Sequence, residues 1–175
     1  MGRSKASDPS AASRTTTLGE GRVTKQKGEL GELFFVLKAA SLRFAVSKPY
    51  GDSLPFDFIL GAGERMLRIQ VKTAFSNTRH GFMIHAGFRG RGSKHTPYTA
   101  EDIDFIAAYV APYEAWYIIP VGAIGTGTYP CIRVYPDGCR KLGSGRFEKY
   151  RDAWHLLTEA QQVSTQILPN EECST

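Results

Sequence analysis

The sequence predicts one α/β domain in which a central mixed β-sheet is flanked by helices. Three observations support this fold class. The chain has 175 residues, of which 42% are hydrophobic, and this is enough for one core but not comfortably for two. Apolar residues recur at helical spacing near the beginning, and short apolar or alternating segments of strand length follow between Gly- and Pro-rich connections. We place the domain at residues 24–158.

Both ends of the chain are expected to lie outside this domain. Residues 1–23 are rich in Ser, Thr, Gly and Ala with scattered Arg and Lys, which is typical of a disordered basic tail. Residues 159–175 form a second predicted tail. The formal charge of +5 favours an anionic partner, although basic tails alone can produce such a charge.

The composition also indicates a cellular compartment. The sequence contains no run of about 18 consecutive apolar residues, and residues 1–22 lack the apolar core of a signal peptide. The three cysteines, Cys131, Cys139 and Cys173, match neither a disulfide framework nor a zinc pattern. We therefore expect a soluble, cytoplasmic protein with reduced thiols.

The elements are predicted in chain order from these local patterns. An amphipathic helix is expected over residues 25–42, with its first turns weakened by two glycines and its core side formed by Leu30, Leu33, Phe34 and Leu37. Strands are expected at residues 56–60, 67–73, 81–86, 105–110, 116–119 and 131–135. A Gly/Arg-rich loop is predicted at residues 87–96, and a closing helix at residues 147–157.

The first two strands form a hairpin across the glycine-rich turn "GAGER". If Leu60 faces Leu67 and Phe58 faces Ile69, one face of the hairpin is wholly apolar. That face would contain Phe56, Phe58, Leu60, Leu67, Ile69 and Val71. A shift by one residue would mix apolar and polar side chains on both faces, so the hydrophobic pattern itself favours this register.

The same register collects polar groups on the opposite face of the hairpin. Asp57 faces Gln70, and Lys72 is the next residue on that side of the strand; directly opposed side chains lie about 4.5–5.5 Å apart at Cβ. Two interpretations stay open. The face is either the solvated side of an ordinary sheet, or a site to which the preceding helix contributes Glu29 or Glu32.

This combination resembles the PD-(D/E)XK nuclease superfamily, the restriction-endonuclease-like fold that includes archaeal Holliday-junction resolvases and some intron-encoded homing endonucleases. The superfamily pattern is a helix glutamate, an aspartate on one strand, and an acidic residue, any residue and a lysine on the next. Here "KGELGELFFVLKAA" supplies Glu32, "PFDFIL" supplies Asp57, and "RIQVKT" supplies Gln70 and Lys72. Gln70 departs from the pattern, since Glu or Asp is commoner there. The later segments "YTAEDIDFIAAYV" and "WYIIPV" extend the resemblance to residues 25–121.

The resemblance implies a restriction-endonuclease-like core and a catalytic set made of Glu32, Asp57, Gln70 and Lys72. It also implies a Mg²⁺ ion, or Mn²⁺ in its place, held by Asp57, Gln70 and Glu32, because hard cations take oxygen ligands and lower the pKa of a bound water. Lys72 would orient or help deprotonate that water. One such site cuts one strand, so double-strand cleavage implies a homodimer or a higher homo-oligomer.

Residues 75–100 suggest the substrate, because this stretch contains several basic residues and no Asp or Glu. We expect DNA phosphate contacts from Lys48, Arg79, Arg89, Arg91 and Lys94. The alternative is a solvated, flexible basic loop. The three histidines in this stretch match no compact metal motif. Asp102 and Asp104 stay outside the catalytic set. A supporting position behind the site is open for both, but Asp104, at a strand start, is more typical of a turn or capping acid.

The sequence therefore predicts a metal-dependent DNA endonuclease. Two other functions stay open: a catalytically inactive nucleic-acid-binding module on the same fold, and a nuclease selective for DNA structure, such as a Holliday-junction resolvase or a repair nuclease.

Overall fold

The computed structural model describes residues 16–51, 53–62, 65–78, 81–89, 95–125, 131–138 and 145–162. Within them the chain forms, in order, α1 (Thr16–Ser41), β1 (Ala45–Ser47), β2 (Phe58–Ala62), β3 (Arg65–Ala74), β4 (Phe82–His85), β5 (Gly87–Arg89), β6 (His95–Pro97), β7 (Phe105–Val110), β8 (Ala115–Pro120), β9 (Cys131–Val134) and α2 (His155–Gln162). None of the described helices combines the length and apolar content needed to span a membrane.

The central sheet has five strands in the order β1-β2-β3-β7-β8. β3 and β7 are parallel, whereas the other neighbouring pairs are antiparallel. The strands β4 and β9 form a separate antiparallel pair, and so do β5 and β6. The predicted α/β class with a mixed central sheet is confirmed.

The register predicted for the β2–β3 hairpin is also confirmed. Phe58 pairs with Ile69, and Leu60 pairs with Leu67. Asp57 directly precedes β2, and its backbone N–H donates to the carbonyl of Ile69 at 2.9 Å. The apolar face packs as expected except for Phe56, which precedes the strand and packs against the other side of the sheet. The hydrophobic pattern therefore fixed the pairing, but not the path of the chain before the strand.

Hydrophobic clusters cover both faces of the sheet. One cluster joins Phe35 and Ala39 of α1 to the apolar side chains of β2 and β3. The other joins the opposite side of β7 and β8 to Ile84 of β4 and Ile132 of β9. The face that carries Gln70 is therefore not the solvated side of a simple sheet, and Gln70 is only 7% exposed.

The core side predicted for α1 is wrong for its three leucines and confirmed in part for Phe34. Phe35 and Ala39 are fully buried and Phe34 packs against the core, whereas Leu30, Leu33 and Leu37 are exposed. The helix has apolar residues on two sides, so spacing alone could not decide which side meets the sheet. α1 also begins at Thr16, inside the segment expected to be disordered, and it passes through both glycines without a break.

Two other expectations about the elements differ from the structure. The predicted closing helix is replaced by a 3₁₀ turn (Glu148–Tyr150) and, after a further turn, by α2. The segment between them is bound to β8: Arg151 forms a bridge with Tyr117, and the N–H of Asp152 donates to the carbonyl of Trp116 at 2.7 Å. The strands β1, β5 and β6 were not predicted, because three residues are too few to show an alternating pattern.

Gly31 allows α1 to lie very close to β3. A Cβ atom at this position would lie 1.8 Å from Oγ1 and 3.0 Å from Cβ of Thr73. Rotating the Thr73 side chain would move Oγ1 but not Cβ, so a larger residue must push the helix away from the strand. The residue after Gly31 is Glu32, and this close approach therefore sets how near its carboxylate lies to the sheet.

We expect Gly31→Ala to lower the free energy of unfolding by about 1–3 kcal/mol, because overpacking outweighs the helix propensity of alanine. Gly28→Ala is the matched control: it lies in the same helix, and an added Cβ meets nothing within 4 Å. The control should be neutral or stabilising by up to about 1 kcal/mol. Urea unfolding followed by circular dichroism measures both, and equal effects would contradict the steric explanation.

Candidate active site

Four side chains that are far apart in the sequence line one cavity of about 540 Å³: Glu32, Asp57, Gln70 and Lys72. α1 supplies the first, the residue before β2 supplies the second, and β3 supplies the last two. Other walls of the cavity include Lys27, Thr73 and Phe75. The structure therefore brings together all four residues that the sequence predicted as catalytic.

Asp57 is held in place by hydrogen bonds from β3. Its Oδ2 accepts the backbone N–H of Val71 at 2.8 Å and Nε2 of Gln70 at 2.5 Å. Both bonds end on one oxygen, so Oδ1 is the atom of this carboxylate that remains for a cation or a water. Burial raises the pKa of Asp57, and the nearby Glu32 raises it further, while the Val71 N–H and the positive charge of Lys72 act in the opposite direction.

Gln70 is a buried amide whose orientation is fixed by its neighbours. Its Nε2 donates to Asp57 and also to the backbone carbonyl of Val71 at 3.2 Å. Both partners are acceptors, so the nitrogen must face them and Oε1 must point elsewhere. A glutamate in this orientation would place its oxygens against two other acceptors. The amide is therefore compatible with a buried Asp57 carboxylate before a metal ion binds, whereas a second carboxylate here would require a cation beside it.

Lys72 follows on the same side of β3 and is partly buried. Its Nζ lies 5.6 Å from the centre of the Tyr98 ring. Burial lowers the pKa of Lys72, and the charges of Asp57 and Glu32 partly offset that effect. The amine is therefore closer to its neutral form at physiological pH than a solvated lysine is.

Glu32 is paired with Lys48, the residue that follows β1. The Lys48 Nζ lies 2.7 Å from Glu32 Oε2, and the side chain of Lys48 is 61% exposed. The hydrogen bond to Glu32 raises the pKa of Lys48. Lys48 was predicted as a DNA contact. The structure places it in a second cavity of about 150 Å³ that Glu32 and Asp57 also line, with the Glu32 carboxylate as its partner.

The other predicted DNA contacts fall largely outside the described residues. Arg79, Arg91 and Lys94 lie in segments that the structure does not describe. Arg89 ends β5 and pairs with His95, but its side chain is likewise outside the description.

Asp104 and Asp102 form structural contacts away from the cavity. Asp104 accepts the backbone N–H of Arg68 at 2.7 Å and pairs with its guanidinium at 3.1 Å. Asp102 accepts the N–H and the hydroxyl of Thr99 at 2.9 and 2.8 Å. The bonds of Asp104 agree with the turn or capping role that the sequence suggested for it, and Asp102 forms a local turn with Thr99.

One residue near the site was not predicted from the sequence. Tyr98 lies directly after β6, and its ring meets Lys72, which is distant in the chain. No motif or periodicity could have placed it there, because the short β5–β6 pair that carries it gives no recognisable sequence pattern.

The oxygen donors at this site suit a hard cation. Asp57 and Glu32 offer carboxylates, and Gln70 offers an amide oxygen. The described residues hold no cluster of three or more His, Cys, Asp or Glu side chains that could bind a metal ion. Two carboxylates and one amide match an ion that keeps several waters, as Mg²⁺ does, better than a closed zinc centre. The mutual repulsion of the two carboxylates would also fall when a cation binds between them.

A comparison with models of protein families shows the family to which this chain belongs. The model of the PD-(D/E)XK endonuclease family matches residues 22–157. The chain belongs to this family. It is therefore an endonuclease of a family whose members typically use divalent metal ions. No match was found among curated protein sequences.

Two solved structures show similarity to this endonuclease. A bacterial homing endonuclease, I-Ssp6803I, shares 27% sequence identity with a TM-score of 0.68, and the match covers 83% of this chain and 99% of that one. The Holliday junction resolvase Hjc of Archaeoglobus fulgidus shares 18% identity with a TM-score of 0.49, covering 75% of this chain and 95% of that one. The first match supports the restriction-endonuclease-like core that the sequence predicted.

The ion pairs Glu32–Lys48 and Arg68–Asp104 should differ in their effect on stability. We expect Lys48→Met to change the free energy of unfolding by less than about 1 kcal/mol, because exposed pairs contribute little. Arg68→Met should cost about 1.5–3 kcal/mol, because Arg68 binds Asp104 through its guanidinium and also donates to the carbonyls of Ala100 and Glu101. Chemical denaturation of both variants tests this order, and a larger loss for Lys48→Met would contradict it.

Proposed function

We propose that this endonuclease hydrolyses DNA phosphodiester bonds with a divalent metal ion, Mg²⁺ or Mn²⁺. The observation that carries the proposal is the convergence of Glu32, Asp57, Gln70 and Lys72 on one cavity. These residues come from three elements, and a solvated sheet face has no physical reason to bring them together. The sheet fixes two of them through the hydrogen bonds among Asp57, Gln70 and Val71.

Asp57, Gln70 and Glu32 would hold the metal through their oxygens. When bound, the ion would supply an activated water and would neutralise charge on the scissile phosphate. Gln70 contributes an oxygen but no charge, so the site has one negative charge fewer than the usual family pattern. Glu32 and Asp57 then supply the negative charge at the site, and the charge of Glu32 is fully available to the ion only when it is released from Lys48.

Lys72 acts on the water and on the phosphate. Its ammonium can donate to a phosphate oxygen and stabilise the charge that develops in the transition state. Because burial lowers its pKa, its neutral form is also more accessible, and this form can accept the proton of the attacking water. Lys48 is well placed to leave Glu32 and bind a substrate phosphate, since its side chain is mostly exposed.

The remaining parts of the proposal concern the substrate and the assembly. Arg79, Arg89, Arg91 and Lys94 would bind the DNA backbone together with Lys48. The described residues form one such cavity, so cutting both strands would require two chains related by a two-fold axis.

We also propose that the nuclease domain spans residues 24–158, with tails on either side, and that the protein acts in the cytoplasm.

Lys72→Met and Asp57→Asn should each lower the rate of DNA cleavage at least about a hundredfold, because each removes a group that acts on the reacting atoms. DNA affinity should change less than about threefold for Lys72→Met. Lys38→Met is the matched control, an exposed lysine on α1 outside the cavity. The assay uses supercoiled plasmid and synthetic four-way junctions with Mg²⁺, Mn²⁺ or EDTA.

The outcomes of this assay separate the alternative functions. Metal-dependent cutting of plasmid that is lost in both variants supports the proposal. Preferential cutting of junctions would identify a structure-selective nuclease. DNA binding without cleavage on any substrate would contradict the proposal and favour an inactive binding module.

Gln70→Glu should tighten binding of Mn²⁺ about tenfold, because it adds one negative charge beside Asp57. Gln26→Glu is the matched control, since it makes the same change on the exposed side of α1. Isothermal titration calorimetry with Mn²⁺ and no DNA measures both. An unchanged or weaker affinity in Gln70→Glu would show that Gln70 is not a ligand.

A further inference from the structure

Tyr98 occupies a fixed position beneath the proposed active site. The residue is 7% exposed, and its backbone N–H donates to the carbonyl of Ala86 at 3.3 Å. This bond continues the β5–β6 pairing, so the ring is attached to a hydrogen-bonded framework rather than to a free loop. The hydrogen bond to Ala86 and the β5–β6 pairing therefore set the position of the ring.

The ring of Tyr98 lies against the ammonium group of Lys72, with 5.6 Å between Nζ and the ring centre. This distance is within the range in which a cation is attracted by the negative face of an aromatic ring. Within the described part of the chain, the ammonium makes no hydrogen bond and no ion pair. The ring is thus the close contact that the structure shows for this charged group.

We propose that Tyr98 is a positioning residue for Lys72, holding the ammonium at the cavity by the face of its ring. This inference rests on the role proposed for Lys72 in DNA cleavage. An aromatic face suits that role better than a carboxylate would, because it attracts the cation without occupying its N–H donors. All three donors then remain available for water and phosphate.

The hydroxyl group of Tyr98 has no part in this arrangement. Burial raises the pKa of Tyr98 to about 12, so the side chain is neutral under physiological conditions. It therefore offers the ammonium of Lys72 a ring face and no negative charge. It follows that phenylalanine should replace tyrosine at this position without loss of function.

Tyr98 also connects Lys72 with the segment proposed to bind DNA. The ring of Phe88, on β5, lies 5.7 Å from the ring of Tyr98, and Phe88 is 39% exposed. β5 and β6 flank residues 90–94, which carry two of the proposed phosphate contacts. Phe88 and Tyr98 therefore form a continuous aromatic contact from β5 to Lys72.

The test compares Tyr98→Phe, which keeps the ring, with Tyr98→Leu, which keeps an apolar side chain but removes the ring face. We expect kcat for DNA cleavage to fall about tenfold in Tyr98→Leu, with KM unchanged, and to stay within about twofold of wild type in Tyr98→Phe. Tyr135→Phe and Tyr135→Leu are the matched controls, because Tyr135 is equally buried but packs against Gly81 rather than Lys72. Neither control should lower kcat.

A second measurement tests the contact without depending on cleavage. In metal-free protein labelled with ¹³C-lysine, a side chain over a ring face shows methylene protons shifted upfield by the ring current. Lys72→Arg assigns the signal. The shift should be present in wild type and in Tyr98→Phe, and absent in Tyr98→Leu. If the chain cuts no DNA at all, the proposed function fails while this measurement still decides whether Tyr98 holds Lys72.

Several results would overturn the inference. Equal losses in Tyr98→Phe and Tyr98→Leu would assign the effect to the hydroxyl group, and a rise in KM with unchanged kcat would make Tyr98 a DNA contact. An unchanged kcat in Tyr98→Leu would remove its role altogether. Should Tyr98→Leu fail to fold, the wild-type spectrum decides, because the absence of an upfield-shifted Lys72 signal contradicts the contact.

Discussion

The site depends on one steric constraint, the close approach of α1 to β3 at Gly31. The other three positions proposed as catalytic lie on or beside two paired strands, whose register is fixed by hydrogen bonds and hydrophobic packing. Glu32 belongs to a separate helix and reaches them only because the residue before it has no side chain. Phe35 and Ala39 continue the same contact deeper in the core. Packing between elements, rather than local sequence, therefore determines how near the helix carboxylate comes to the strand residues.

A second principle governs the charges in this cavity. Asp57 is desolvated and lies near another carboxylate, and both effects disfavour its ionised form. The protein offsets this cost with neutral donors, the Val71 N–H and the Gln70 amide, and with the distributed positive charge of two lysines. The resulting site is polar and pre-organised without a concentrated negative charge. A metal ion would accordingly meet an arrangement that is stable before it binds.

The sequence was most informative where two independent patterns agreed. Alternation on both sides of a short turn predicted the register of Phe58 with Ile69, and β7 was predicted with its observed limits. The residue types along α1, β2 and β3 led to the correct family because the chemistry of the site requires a carboxylate, an oxygen donor and a lysine at fixed spacing. The structure brings the four predicted residues, Glu32, Asp57, Gln70 and Lys72, to one cavity.

The errors have equally definite physical causes. α1 is apolar on two sides, so the periodic pattern pointed to leucines that the structure leaves exposed. The segment before α2 is helical in its residue spacing, but hydrogen bonds between Asp152 and Trp116 hold it in a turn. Tyr98 contacts Lys72 across a long separation in the chain, and no local pattern encodes that contact. The sequence thus predicted local geometry and chemistry. It did not predict which of several possible tertiary contacts would form.

The shortness of β1 has a consequence for how chains can associate. β1 is an outer strand of the central sheet and has only three residues, and Lys48 and Pro49 follow it directly. A charged residue and a proline at such an edge oppose the addition of another strand, because proline lacks the N–H that a neighbouring strand would need. The sheet therefore ends beside the cavity. Two copies of this chain therefore do not readily extend it into one continuous sheet across β1, so their association would use another surface.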